Sequence, residues 1–196
     1  MYKRILVPLA LFALAALALA ACGGGSGAEG EITETIEAAA TTNDPSNCTK
    51  LQTQRFDEQN SGETGNAAVK ACEAEAKEEE EQAEAANVSN VSVDGEKATA
   101  EVEFEGGPLN SQVLEVALVE EEGSWKIDQI EGFAKYNGKA LEEAFLKRFE
   151  EEPEGVSKAQ YTCIAEGIGK ASEAEAKEMF LSGSPEKIEE LARSCV

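Results

Sequence analysis

Five cysteines and no histidine set the chemistry open to this chain. Without histidine the usual general base near neutral pH and the commonest metal ligand are missing, which excludes metal-dependent hydrolysis and serine–histidine catalysis in their ordinary forms. Thiol and carboxylate chemistry remain. Cys22 follows Leu19-Ala20-Ala21 at the end of an uncharged apolar run that starts at Ile5, behind Lys3 and Arg4. The other four, Cys48, Cys72, Cys163 and Cys195, contain no Cys-x-x-Cys pair, so disulfides are expected in place of a metal site. Three pairings are open. Cys48 with Cys72 and Cys163 with Cys195 is the one in which each bridge closes a local helical unit. Among the carboxylates, Asp128 sits on an expected strand and could act as an acid or base inside a pocket. No partner for it is identifiable, so it reads first as a solvated strand carboxylate. Trp125, the single tryptophan, reads first as core and second as the residue to test for lining a ligand pocket. The glutamate-rich run from Glu73 to Glu84 lacks the glycine-centred loop that gathers calcium ligands and reads as a solvated helix face. No cofactor is implied.

The positive start, the apolar run and Leu19-Ala20-Ala21-Cys22 together resemble the signal peptide and lipobox of bacterial exported lipoproteins. The run is slightly short of the roughly 20 residues that span a bilayer, which weakens the alternative of a permanent helical anchor. The resemblance implies that residues 1–21 are removed. It also implies that Cys22 carries diacylglyceryl and acyl chains, and that the mature chain is held on the outer face of the membrane. Two or more chains matter because each buried CH₂ contributes about 0.8 kcal/mol and a single chain binds only reversibly. Residues 22–30, with the sequence Cys-Gly-Gly-Gly-Ser-Gly-Ala-Glu-Gly, are expected to be a flexible spacer. Loss of Lys3 and Arg4 with the signal moves the net charge from −22 to −24. That balance disfavours nucleic acid and anionic surfaces as partners.

These candidate residues need elements to hold them. Ile32, Ile36, Ala39 and Ala40 make an apolar stripe on a first helix over 31–42. Asp44 and Pro45 are expected to open a second helix that passes through Cys48 and Leu51 and ends near Gly62. A third is expected from Gly65 to Ala86, with Val69, Cys72 and Ala76 on one face. From Val88 the period becomes two: Ala98, Ala100, Val102 and Phe104 alternate with polar residues after an Asp94-Gly95 turn, which is a hairpin. Gln112 to Glu121 is apolar on both faces, as a central strand covered twice would be. Gly123-Ser124 turns into the last strand, Trp125 to Ile130. Helices followed by an antiparallel sheet make an α+β domain.

Asp94-Gly-Glu-Lys-Ala-Thr-Ala-Glu-Val102 and Val119-Glu-Glu-Glu-Gly-Ser-Trp-Lys-Ile-Asp128 resemble the nuclear transport factor 2-like superfamily over roughly residues 31–133. The likeness is nearest to its exported lipoproteins, in which a cysteine pair links the helices ahead of the sheet. The resemblance implies a bent sheet wrapped by helices into a cone, with a pocket that many members use for small ligands. Beyond it, residues 134–196 are expected to be a separate small helical domain. Glu152-Pro153-Glu-Gly155 closes its first helix, Ser157 and the Ser172/Glu175 capping box start two more, and Ser184-Pro185 starts the last. The expected function is a non-catalytic binding or envelope-interaction module for a small apolar ligand or an envelope protein. The rivals are an isomerase- or dehydratase-like enzyme using a carboxylate, and a structural domain that binds nothing.

Overall fold

The computed structural model describes residues 25–77, 82–151, 157–181 and 186–196. The signal segment 1–21, Cys22, the Glu78–Glu81 part of the acidic run, the expected helix stop at 152–155 and the start at Ser184-Pro185 lie outside the described residues.

Helix α1 (Gly25–Thr41) seats Ile32 and Ile36 in the core. It starts six residues before the expected boundary, so residues 25–30 are helical and not spacer coil. Ala28, one turn before Ile32, packs against the core and carries the helix back past the glycines. The expected second helix is split. Pro45 and Ser46 form a turn whose Ser46 N–H donates to Asp44 Oδ1, and α2 (Asn47–Lys50) is a single turn. Leu51 closes that turn in the right-handed helical region and the chain is extended by Thr53, with Ile127 N–H donating to Leu51 O at 2.8 Å and Thr53 N–H donating to Ile127 O at 2.9 Å. These edge bonds replace the helical bonds that periodicity alone would favour. Thr53 then caps α3 (Gln54–Ser61), accepting from Phe56 N–H, and Gly62 ends it in the left-handed region with φ 70°.

Helix α4 (Asn66–Glu75) is about half the expected length, and by Ala85 the chain is strand β1 (Ala85–Asp94). Helix propensity in this acidic stretch yields to sheet pairing, because Ala86 and Val88 face the core with a period of two. The antiparallel sheet has the order β1-β2-β3-β4, with β2 (Lys97–Glu105), β3 (Val113–Glu121) and β4 (Ser124–Lys135). Glu122 and Gly123, at φ 55° and 79°, make the tight β3–β4 turn. One face of the sheet is core: Ala98, Ala100, Val102, Leu114, Val116 and Leu118 are all buried. The other face of β3 is not covered in the same way, since Val113, Ala117 and Val119 stay half-exposed. Among the described residues, the expected second layer does not close over this face of β3.

The nine residues of β3 face twelve of β4, and Asp128, Glu131 and Ala134 are the unpaired extras. Bulges bend the strand that carries them, so three in one strand curl the sheet around the helices. The two outer strands are finished differently. In β1 a bulge sets Asn90, at φ 51°, and Val91 opposite Ala100. Along β4 the Leu51–Thr53 segment pairs with Ile127, and further on the Gln59 amide accepts from Ile130 N–H at 2.8 Å and donates to Ile130 O at 2.9 Å.

After β4, α5 (Gly138–Glu151) crosses α6 (Lys158–Lys170). A Cβ on Gly138 would run into the Gly169 carbonyl, so the two glycines permit the close approach. Phe145 stacks on Tyr161 with centroids 4.6 Å apart. Ser157 with Gln160, and Ser172 with Glu175, form capping boxes on α6 and α7 (Glu173–Phe180). Helix α7 places Ala176, Phe180 and Leu181 against the sheet's own core, so this one C-terminal helix joins the sheet's apolar cluster, while Leu141 of α5 and Ala165 and Ile168 of α6 are buried outside it. Helix α8 (Glu186–Ser194) has no buried residue.

Candidate functional site

Bridges join Cys48 to Cys72 and Cys163 to Cys195, with Cα atoms 6.0 and 5.7 Å apart. The first ties α2 to α4, and the second ties α6 to the end of α8. Two structural disulfides point to an oxidising compartment. Among the described residues no helix is long and apolar enough to cross a membrane.

Asp128 has partners that the sequence did not reveal. As a bulge residue it leaves the alternation of β4, and its carboxylate turns to the start of α3. There it accepts from Thr53 Oγ1 at 2.9 Å and from Arg55 Nη1 at 2.7 Å. Arg55 also donates to Gln129 Oε1. The Asp128 side chain is 15% exposed and that of Arg55 62%. It is neither a freely solvated carboxylate nor an acid facing the sheet's buried side. The pair braces α3 against β4, and with its oxygens taken up by Thr53 and Arg55 the carboxylate serves to position these elements.

Trp125 is 4% exposed and belongs to the core. Its carbonyl accepts from Thr35 Oγ1 at 3.4 Å. It also forms a wall of an open groove of about 610 Å³ bounded by Glu31 and Glu34 of α1, Lys50 of α2, and Glu121, Glu122 and Lys126 around the β3–β4 turn. Lys126 is held by Glu121 at 3.2 Å. Asp128 does not line this groove, so the two candidate ligand residues are not brought together. The groove offers carboxylates, amines and the hydroxyls of Thr35, Thr49 and Ser124, with no buried acid or base among the residues that line it. Its chemistry is weak ionic and hydrogen-bonding attraction.

The residue that sequence reasoning missed is Asp57. It is 1% exposed, and neither carboxylate oxygen has a hydrogen-bond partner among the described residues. Burial pushes its carboxyl up from the ordinary 3.8 to about 6, and the charges of Glu73 and Glu75 push it the same way. Beside Phe56, which packs on the core, the cap Thr53, Asp57 and the half-buried Ser61 form a polar row along α3 at i, i+4 and i+8. A polar stripe of this kind is invisible to hydropathy, and no signal in the sequence marks it. Neither the Trp125 groove, the smaller one beside Cys48 and Cys72, nor the one between α6 and α8 is lined by Asp57. No group of three or more Asp, Glu or Cys among the described residues could hold a metal ion.

No family model and no curated protein matches this chain. Among solved structures it is similar to an NTF-2-like protein of unknown function from Silicibacter pomeroyi, with 22% identity and a TM-score of 0.33 over 53% of this chain and 90% of that one. Its α+β character, four antiparallel strands with helices before and after them, rests on the elements described above.

Proposed function

We propose that the chain is a lipid-anchored extracytoplasmic module, built on a nuclear transport factor 2-like cone, that binds a ligand or an envelope partner without catalysing a reaction. One observation supports the non-catalytic part of this reading above the others. The buried side of the sheet is filled by apolar side chains, from Ala98, Ala100 and Val102 through Leu114, Val116 and Leu118 to Trp125 and Ile127, and carries no ionisable group among the described residues. Acid–base catalysis inside the cone would need one there. The two bridges and the sequence around Cys22 support placing the module outside the membrane, with diacylglyceryl and acyl chains on Cys22 as the tether.

Intact mass of the protein from its native membrane, before and after reduction, tests the tether. The expected mass is that of residues 22–196 plus the lipid, with a gain of about 4 Da on reduction of two bridges. An unlipidated mass removes the anchor. Native mass spectrometry of the same sample tests binding: a retained small apolar molecule or protein supports the module, and an empty chain favours a purely structural domain.

Asp57 favours a second reading, an isomerase- or dehydratase-like enzyme, because a buried carboxyl raised to about 6 is suited to proton transfer near neutral pH. The absence of Asp57 from the three cavities named above weighs against it. A turnover abolished by Asp57→Asn in a still-folded chain would overturn the non-catalytic reading.

A further inference from the structure

The α3–α4 contact encloses a carboxylate that no donor among the described residues satisfies. We propose that this contact is a proton-operated latch: α4 closes over α3 while Asp57 is protonated and lifts to admit water when Asp57 ionises. The geometry gives three parts to such a device. The first is the sensor, since both Asp57 oxygens are buried without a hydrogen-bond donor, and an ionised carboxylate in that position loses its hydration with no replacement. Helices α4 and α2 and strand β4 pack on α3. Their charged residues are Lys70, Glu73 and Glu75 on α4, Lys50 on α2, and Lys126, Asp128, Glu131 and Lys135 on β4. The charges that act on Asp57 are Glu73 and Glu75, both of its own sign. Asp128 on β4 is engaged by Arg55 and Thr53.

The second part is a hinge. Gly62 and Gly65, at φ 70° and 60°, flank the short link between the helices, and Gly65 N–H is held by Glu58 Oε1 at 2.7 Å. The third is a tether, since Cys72 on α4 is bonded to Cys48, which limits how far α4 can move. The sheet does not take part, and the device works whatever the domain binds.

Direction and size follow from proton linkage. A proton is held more tightly in the closed form than in the open, hydrated one. Closure is therefore strongest below 3.8, weakens as pH rises from 3.8 to about 6, and is constant above that. Between pH 5 and pH 8 the opening equilibrium should rise about tenfold. Hydrogen exchange of the oxidised full chain at those two pH values, corrected for intrinsic rates, reads it directly. The expected result is a roughly tenfold loss of protection confined to α4 and the facing turns of α3, with β2 and β3 unchanged. Asp57→Asn, and Asp57→Leu as a second variant without a polar head, should remove the pH dependence. Equal α4 protection at both pH values, an equal loss in β2 and β3, or a pH dependence that persists in a folded variant would each overturn the latch.

Discussion

Replacing Cys163 and Cys195 together by alanine should free α8 while leaving the sheet intact. The bridge spans a sequence separation of 32 and, by the loop-closure model, stabilises by about 3.7 kcal/mol at most. Little else holds α8. None of its residues is buried, and Ile188, Leu191 and Ala192 are only half-buried against α6 and α7. Leu191 lies over Gly167, where any Cβ would collide with it, so the contact is close but small. Loss of the bridge should therefore appear as local undocking. If the whole 3.7 kcal/mol is felt there, exchange protection of α8 falls by roughly five hundredfold. Trp125 provides the control, since it is buried in the sheet core and its fluorescence reports global unfolding in urea. The expected outcome is a collapse of α8 protection with the Trp125 transition nearly unmoved. Should the Trp125 transition lose the full 3.7 kcal/mol, with α8 exchanging only as the sheet unfolds, then α8 belongs to the global unit and the local reasoning is wrong.

Three further outcomes are expected. Gln59→Leu, close in shape but without the amide, orphans the Ile130 N–H and C=O and the Leu181 carbonyl, and should cost about 1–3 kcal/mol in a urea melt. Gly138→Ala forces the α5–α6 crossing apart at the Gly169 carbonyl and should lower the melting midpoint by an amount equivalent to about 1–3 kcal/mol, whereas alanine at the open Gly27 should not. Asp128→Asn should cost less than about 1 kcal/mol, because its Arg55 partner is largely exposed, and a binding assay should register no change for a ligand held in the Trp125 groove.

The sheet was legible in the sequence because one face of it is buried. Ala98, Ala100 and Val102 alternate with polar residues, and a one-residue slip would put them all in water. Asp94-Gly95 marked the first hairpin, and Ser157 and Ser172 marked helix starts through local hydrogen bonding that the structure retains. What the sequence misled on depended on partners far along the chain. The break between α2 and α3 exists because Leu51 and Thr53 pair with Ile127, some 75 residues away, and no local pattern encodes that bond. The length of α4 was overestimated for a similar reason: alanine and glutamate favour helix, yet Ala86 and Val88 are taken by the core. At the candidate site Asp128 was located but its partners were not, since a bulge redirects it to Arg55. Asp57 was missed because its burial comes from packing between α3 and α4 and not from its own chemistry.

The treatment of the two outer strands bears on how copies of the chain behave when crowded. An open sheet edge is a row of N–H and C=O groups that a second chain can extend, the usual route to aggregates and runaway polymers. Here the left-handed Asn90 and its bulge twist one margin out of register, and the Leu51–Thr53 segment with the Gln59 amide occupies the other. Chains held at high local density would thus meet through faces and loops, where contacts are weak and reversible, and would resist joining strand to strand.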